Sequence, residues 1–392
     1  MKKILVFCDY YRPSLKAGGG MWTVANLVDR FCDRYEFHIV TRNYDSPGDT
    51  TPFTSVRTGE WNEMGNAKVY YAAASDLTAA KCAALATMVD PDVVFLNSVF
   101  STPVVKFLVA RRKQLTPECG VVLAPCGELS DGALRSKSLK KKGYLAIAKA
   151  TGLYRDVIWK ASTELESAEI RRVFGKHLAP VVAPDLTPRT ILPGFEIAQK
   201  PPKTAGSARF VFLSRIVPKK NLAFALRLFR EITDGGIILD IVGPIEDSEY
   251  WRECENLINE MPPNVTVNVL GGVDYPTGLQ KLVDSHFFIL PTLNENFGYV
   301  FIESLAAGTP ILISDQTVWG SVSEHNVGWV NSLSERQKWI DAIRRCIVMD
   351  QVEFIEMSSR ARNFAVTWLA DSGYENATAR VIEAAIGANK PS

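Results

Sequence analysis

Phe287-Phe288-Ile289-Leu290-Pro291-Thr292-Leu293-Asn294-Glu295-Asn296-Phe297-Gly298-Tyr299-Val300-Phe301-Ile302-Glu303, closed by Gly308-Thr309-Pro310, reads as strand, turn and helix. The apolar run at its start is a buried strand. A helix then runs from about Gly298 to about Ala307, where the Gly-Thr-Pro punctuation ends it. Strand, loop and helix in this order are one step of a parallel α/β sheet, whose ligands lie beyond the carboxyl ends of the strands. The helix start near Gly298 points free N–H groups that way, which suits a diphosphate. Glu303, inside the helix, can accept hydrogen bonds from ribose hydroxyls. Glu295, in the loop, can hold a sugar hydroxyl.

The same alternation extends outward in both directions. Apolar runs at Ile4–Cys8, Phe37–Val40, Val69–Ala72, Val93–Leu96 and Val121–Ala124 occupy the first half. Phe210–Leu213, Ile237–Val242, Val265–Leu270, Phe287–Leu290 and Ile311–Ile313 occupy the second. Continuous β-branched runs separated by helical patterns predict parallel strands covered on both faces, and hence a doubly wound α/β architecture occurring twice. Leu192-Pro193-Gly194 and Lys200 to Ser207 have linker composition and no hydrophobic period. The expected domains are therefore 1–195 and 207–370, with a last helix over 371–392 crossing back to the first domain.

Composition narrows the function. The chain has 392 residues, 47% hydrophobic and 22% charged, enough for two ordinary cores. A net charge of +1 gives no global pull toward nucleic acid. The seven cysteines include no C-x-x-C pair, so neither a disulfide framework nor a zinc site is expected, and a reducing, cytoplasmic setting fits. The apolar run after Met1-Lys2-Lys3 is too short for a leader and stops at Asp9, so it reads as a first strand. No run is long enough to span a membrane.

A second constellation follows the Phe210–Leu213 strand: Ser214-Arg215-Ile216-Val217-Pro218-Lys219-Lys220-Asn221-Leu222. Arg215 and Lys220 leave the strand where a leaving diphosphate would lie, and fixed cations there stabilise the charge that grows as a sugar–phosphate bond breaks. Lys219 reads as a solvated neighbour.

Together these segments resemble the family 4 (group 1) retaining glycosyltransferases of the GT-B fold. The two glutamates eight positions apart within E-N-F-G-Y-V-F-I-E-S-L-A-A-G-T-P match the family's signature. S-R-I-V-P-K-K-N-L is similar to its diphosphate-gripping segment. The resemblance implies two Rossmann-like domains facing across a cleft, with Arg215, Lys220 and Glu295 as the catalytic group. It implies donor contacts at Asn296, Phe297, Gly298 and Glu303, and weaker base contacts at Gly243, Gly271 and Gly272. It also implies a nucleotide-diphosphate sugar as substrate, no cofactor and no metal, because side chains and a helix terminus carry the positive charge.

In the first half, Gly18-Gly19-Gly20 stands between a strand and a helix. It resembles the family's loop over the donor's phosphate and sugar, although a simple flexible helix start explains it too. Cys126-Gly127-Glu128-Leu129, after the Val121 strand, resembles the acceptor-side P-R-G-x-L segment of family members that build bacterial surface polysaccharides, with Cys126 where a basic residue is common. Cys126 reads as a small thiol rather than a nucleophile, and none of the four histidines lies in this loop. The stretch Arg135 to Leu145 is densely basic. It is either a solvated helix face or a site resting on an anionic membrane surface. Asp90-Pro91-Asp92 has metal-motif spacing but precedes its strand, so it reads as a turn.

The expected acceptor is a glycan or a polyprenyl-diphosphate-linked glycan, met in the cytoplasm and at the inner membrane face. A sugar-nucleotide epimerase and a non-catalytic GT-B partner subunit are the rival readings.

Overall fold

The protein is described by a computed structural model, which covers residues 1–14, 18–46, 49, 51–135, 138–371 and 373–388. It forms two compact units. One comprises Met1–Pro188 with Ser372–Ser392, the other Arg189–Asp371.

The first unit holds strands β1 (Lys2–Phe7), β2 (Tyr35–Arg42), β3 (Trp61–Met64), β4 (Ala67–Ala72), β5 (Val93–Asn97), β6 (Gly120–Ala124), β7 (Ile158–Ala161) and β8 (Val181–Val182). They form one sheet in the order β3-β4-β2-β1-β5-β6-β7-β8. All neighbours are parallel except β3 and β4. The second unit holds β9 (Ser207–Leu213), β10 (Gly236–Val242), β11 (Val265–Gly271), β12 (Phe287–Leu290), β13 (Ile311–Ser314) and β14 (Gly328–Asn331), all parallel, in the order β11-β10-β9-β12-β13-β14. Counted within its unit, the second order is 3-2-1-4-5-6, that of the Rossmann fold. The first sheet repeats it with extra edge strands. The chain reverses direction of build beside β1 and beside β9, which marks the ligand-binding crevice in each.

All ten strands expected from the apolar runs are present. β3, β7, β8 and β14 are additional. β3 is a polar edge segment, β8 has two residues, and β7 and β14 are short with mixed side chains, so none shows a continuous apolar run.

The segment with linker composition is not a free tether. Lys200 is buried, and its Nζ donates to the carbonyls of Leu282 (3.0 Å) and Ser285 and to Thr309 Oγ1 (2.7 Å). Lys203 Nζ donates to the carbonyls of Ile347 (3.1 Å) and Met349 (2.7 Å). Each lysine thus satisfies carbonyls at the end of a helix, Tyr275–Val283 and Arg336–Val348 respectively. Lysines placed for capping imitate the polar, aperiodic look of a linker.

The last helix, Gly373–Gly387, packs on the first unit's sheet. A Cβ on Gly120, at the start of β6, would stand 2.0 Å from the carbonyl oxygen of Ala385, so only glycine permits this approach. Arg30 and Glu375 pair at 2.7 Å, with side chains 10% and 16% exposed.

Candidate functional site

In the second unit, Arg215 and Lys220 follow β9 and Glu295 follows β12, the two strands flanking the point where the order reverses. Backbone bonds stitch the two loops together. Leu293 N and Thr292 Oγ1 both donate to the carbonyl of Lys219, at 2.8 and 3.1 Å, and Asn221 Nδ2 donates to the carbonyl of Pro291 at 3.0 Å. Lys219 therefore holds the site through its main chain, a role its side chain did not advertise.

Lys220 Nζ donates to Glu295 Oε2, and both side chains are largely buried, 11% and 14% exposed. Burial alone would raise the Glu295 carboxyl. The positive charges of Lys220, Lys219 and Arg215 outweigh it and hold the group below its usual range. Arg215 is more open, 46% exposed, and pairs with Glu246 at 3.0 Å. Glu246, from the loop after β10, carried no motif and was not anticipated.

The turn between Glu295 and its helix is tightly built. Gly298 caps the helix Tyr299–Ala306 with φ +81°. A Cβ there would meet the Phe301 ring at 2.4 Å and Glu295 Cγ at 3.0 Å. Phe297, expected to face the donor, instead buries its ring against Tyr299, Trp319 and Trp368. It leaves only its backbone to the turn, and Trp319 Nε1 donates to that carbonyl at 2.6 Å. The reason is packing: an aromatic ring beside a crowded aromatic cluster gains more from burial than from facing solvent. Asn296 sits half-buried between them.

Glu303 lies on the same helix. Burial pushes its carboxyl up to about 7, and a hydrogen bond from the Tyr275 hydroxyl pulls the other way. Tyr275 begins the helix after β11. Nothing in its local sequence distinguishes it from an ordinary helix-start residue.

In the first unit, Gly18, Gly19 and Gly20 begin the helix Gly19–Phe31 after β1. An added Cβ on Gly20 would lie 3.4 Å from Asn97 Oδ1, at the end of β5. Asn97 Nδ2 lies 3.3 Å from Cys126 Sγ. The glycine loop, Asn97 and Cys126 are thus brought together at the carboxyl ends of β1, β5 and β6. Cys126 and Gly127 both have positive φ, +55° and +77°. Glu166 holds this turn by accepting from Gly127 N at 2.5 Å and from Ser162 N at 2.7 Å. Glu128 Oε2 accepts from Ser98 Oγ at 2.8 Å and Val99 N at 2.7 Å, tying the β6 loop to the β5 loop. Burial raises the Cys126 thiol well above its ordinary value, with the negative charges of Asp185 and Glu166 adding to it, so the group is a neutral thiol.

Asp92 Oδ2 accepts from Lys3 N at 2.8 Å, and Asp90 ends a helix with φ +50°. Both stand at the amino ends of the strands. Of the basic stretch, Ser136 and Lys137 lie outside the described residues. Arg135 ends the short helix Asp131–Arg135, and residues from Ser138 on lie in the helix Ser138–Ala150. Leu139 (86%) and Ile147 (67%) are exposed, as are Lys140, Lys142 and Lys149. Lys141 instead donates to the carbonyl of Ala133 at 2.7 Å and lies over the Phe100 ring. No helix among the described residues is long and apolar enough to cross a membrane.

Two Rossmann-ordered units within one chain define the GT-B class of fold, and solved structures agree over the whole length. Sucrose-phosphate synthase from Thermosynechococcus elongatus superposes with a TM-score of 0.71 at 16% identity, covering 99% of this chain and 100% of that one. Anabaena HepE in complex with UDP-glucose gives 0.66 at 16%, covering 98% and 99%. WaaG, a glycosyltransferase involved in lipopolysaccharide biosynthesis, gives 0.63 at 13%, covering 99% and 100%. Residues 195–364, most of the second unit, match the family described as glycosyl transferases group 1. No curated protein sequence matches the chain.

Proposed function

We propose that the protein is a retaining glycosyltransferase. It moves a sugar from a nucleoside-diphosphate donor to a glycan or polyprenyl-diphosphate-linked glycan acceptor, without a metal ion. The observation that carries this reading is the Lys220–Glu295 pair, set beside Arg215 at the switch point of a Rossmann-ordered sheet. The group 1 match over 195–364 spans Arg215, Lys220, Glu295 and Glu303.

In this reading the second unit holds the donor. Arg215, Lys220 and the helix beginning at Tyr299 stabilise the charge that grows on the leaving diphosphate. Glu295, kept ionised by three neighbouring cations, accepts a hydroxyl of the transferred sugar. Glu303 accepts from the ribose. The departing phosphate takes the acceptor hydroxyl's proton, so no protein base is required, and the neutral Cys126 thiol is not asked to act as one. Acceptor binding falls to the first unit, with the Cys126–Gly127 turn fixed by Glu166 and Glu128. The exposed Leu139 and Ile147, on one helix with the exposed Lys140, Lys142 and Lys149, suit the anionic inner face of a bacterial membrane.

The test is a thermal-shift panel of nucleotide sugars, followed by NMR of the anomeric centre in the product. A donor that binds the folded chain raises its melting temperature. Retention at the anomeric carbon is expected. Inversion, isomerisation of the donor alone, or no stabilisation by any nucleotide sugar overturns the reading.

A further inference from the structure

Arg215 and Glu246 leave adjacent parallel strands, β9 and β10. Their side chains pair at 3.0 Å, Arg215 Nη1 donating to Glu246 Oε2, and are 46% and 39% exposed. An ion pair so open to solvent contributes little to stability. The backbone beneath it is closely fitted all the same. The two chains stay paired beyond the sheet. Ser214 N donates to the carbonyl of Val242 at 2.9 Å, Ile216 N to that of Pro244 at 2.9 Å, and Glu246 N to that of Ile216 at 3.3 Å. Gly243, with φ +146°, lies so near that an added Cβ would stand 1.9 Å from the carbonyl oxygen of Ser214. Only glycine allows that approach.

The far side of the Glu246 loop is fixed as well. Asp247 caps the helix Ser248–Asn259 by accepting from Tyr250 N at 2.9 Å. The Tyr250 hydroxyl in turn accepts from Ala223 N at 2.9 Å, on the helix Leu222–Arg230 that follows Lys220. The carboxylate is therefore carried on a loop tied to the Arg215 loop on one side and to the helix behind Lys220 on the other. A pair of little worth to stability, set on so fixed a base, serves to orient the arginine.

We propose that Glu246 is a positioning residue of the donor site: it holds the Arg215 guanidinium in the place from which that group grips the leaving diphosphate. The inference rests on the assignment of Arg215 to the diphosphate. A long, exposed arginine loses rotamer freedom when it closes on a ligand, and a partner that orders it beforehand removes part of that cost. The pair uses one N–H of the guanidinium and leaves the others as donors to the phosphate oxygens. Glu246 acts through Arg215 and needs no contact with the donor.

The experiment is a double-mutant cycle in binding affinity. Its probe is the nucleoside diphosphate giving the largest thermal shift among UDP, GDP, ADP and CDP. Wild type, Glu246→Ala, Glu246→Gln, Arg215→Ala and Arg215→Ala with Glu246→Ala are compared. Glu246→Ala is expected to bind about 3- to 10-fold more weakly, the scale of ordering one long side chain. Glu246→Gln keeps an acceptor of the same reach and should stay within about 3-fold of wild type. In the Arg215→Ala background, removing Glu246 should change affinity by less than about 2-fold, because its effect passes through the missing arginine. Melting temperatures without ligand should barely move. Wild-type affinity in Glu246→Ala, tighter binding in both Glu246 variants, or an undiminished loss in the Arg215→Ala background overturns the role of Glu246 while leaving Arg215 in place. If Arg215→Ala binds as wild type does, or if no nucleoside diphosphate binds, the donor assignment itself fails and Glu246 falls with it.

Discussion

Lys220 and Glu295 lie 75 positions apart and meet as an ion pair, each less than one-sixth exposed. Breaking such a pair from one side leaves a buried charge without its partner, which costs about 3–5 kcal/mol. Lys220→Ala is therefore expected to lose stability as well as turnover. Turnover should fall by roughly 100-fold or more, the scale of one preorganised donor to a developing charge. The double variant Lys220→Met with Glu295→Gln should recover much of the stability and none of the activity. Urea denaturation beside a transfer assay checks both, and a stable, active Lys220→Ala removes the pair from the site.

Arg215→Ala separates the two effects. The Arg215–Glu246 pair is half-exposed, so its loss costs at most about 1 kcal/mol. Turnover should still fall by roughly 100-fold if Arg215 faces the leaving diphosphate. Wild-type turnover in this variant would place the arginine outside the reaction.

Gly298 is held at φ +81° against the Phe301 ring. Gly298→Ala is expected to lose about 1–3 kcal/mol, the range for a strained backbone position. It should also weaken donor binding, because the displaced turn carries Glu295. Calorimetric melting together with donor titration reads both quantities.

His286 sets an acid limit on stability. Burial, with Lys200 and Lys203 nearby, lowers its imidazole to about 4. Its Nδ1 accepts from Arg209 N at 3.0 Å, and its Nε2 lies 3.2 Å from the carbonyl of Pro202, so the neutral ring with a proton on Nε2 satisfies both contacts. The unfolded chain takes up a proton near 6.5 and the folded chain only near 4. This contribution to stability is thus present above 6.5 and lost as pH falls toward 4, by about 3 kcal/mol. Denaturation curves from pH 7 to pH 4 should be less steep in pH for His286→Gln than for wild type.

The exposed lysines test the membrane reading. Lys140→Glu with Lys142→Glu leaves Lys141 in its contact with Ala133 and Phe100. At up to ~1 kcal/mol per basic residue near anionic lipid, the double reversal should clearly reduce sedimentation with phosphatidylglycerol vesicles. Donor affinity should be unchanged. Equal sedimentation of variant and parent would favour a soluble acceptor. A separate expectation concerns metals: transfer should persist in excess EDTA, and strict dependence on magnesium or manganese would mean that side chains do not carry the diphosphate's charge.

Local sequence determined the alternation of strands and helices, because a strand buried on both faces is marked by an apolar run; β11, interrupted by Thr266 and Asn268, is the exception, a largely exposed edge strand. It also determined the signature loop, since Gly298 is demanded by its own backbone and Glu295 and Glu303 by their places relative to that turn. Tertiary structure alone decided the partners. Strand order sets β9 beside β12, so Lys220 reaches Glu295 and the Lys219 carbonyl holds the β12 loop. Pairing of the loops after β9 and β10 sets Glu246 on Arg215, and an aromatic cluster draws the Phe297 ring inward beneath Trp319. Lys200 and Lys203 look like linker residues until the helix ends they cap are in view. A side chain's partner depends on which elements become neighbours, and that is settled by burial over the whole unit rather than by any spacing along the chain.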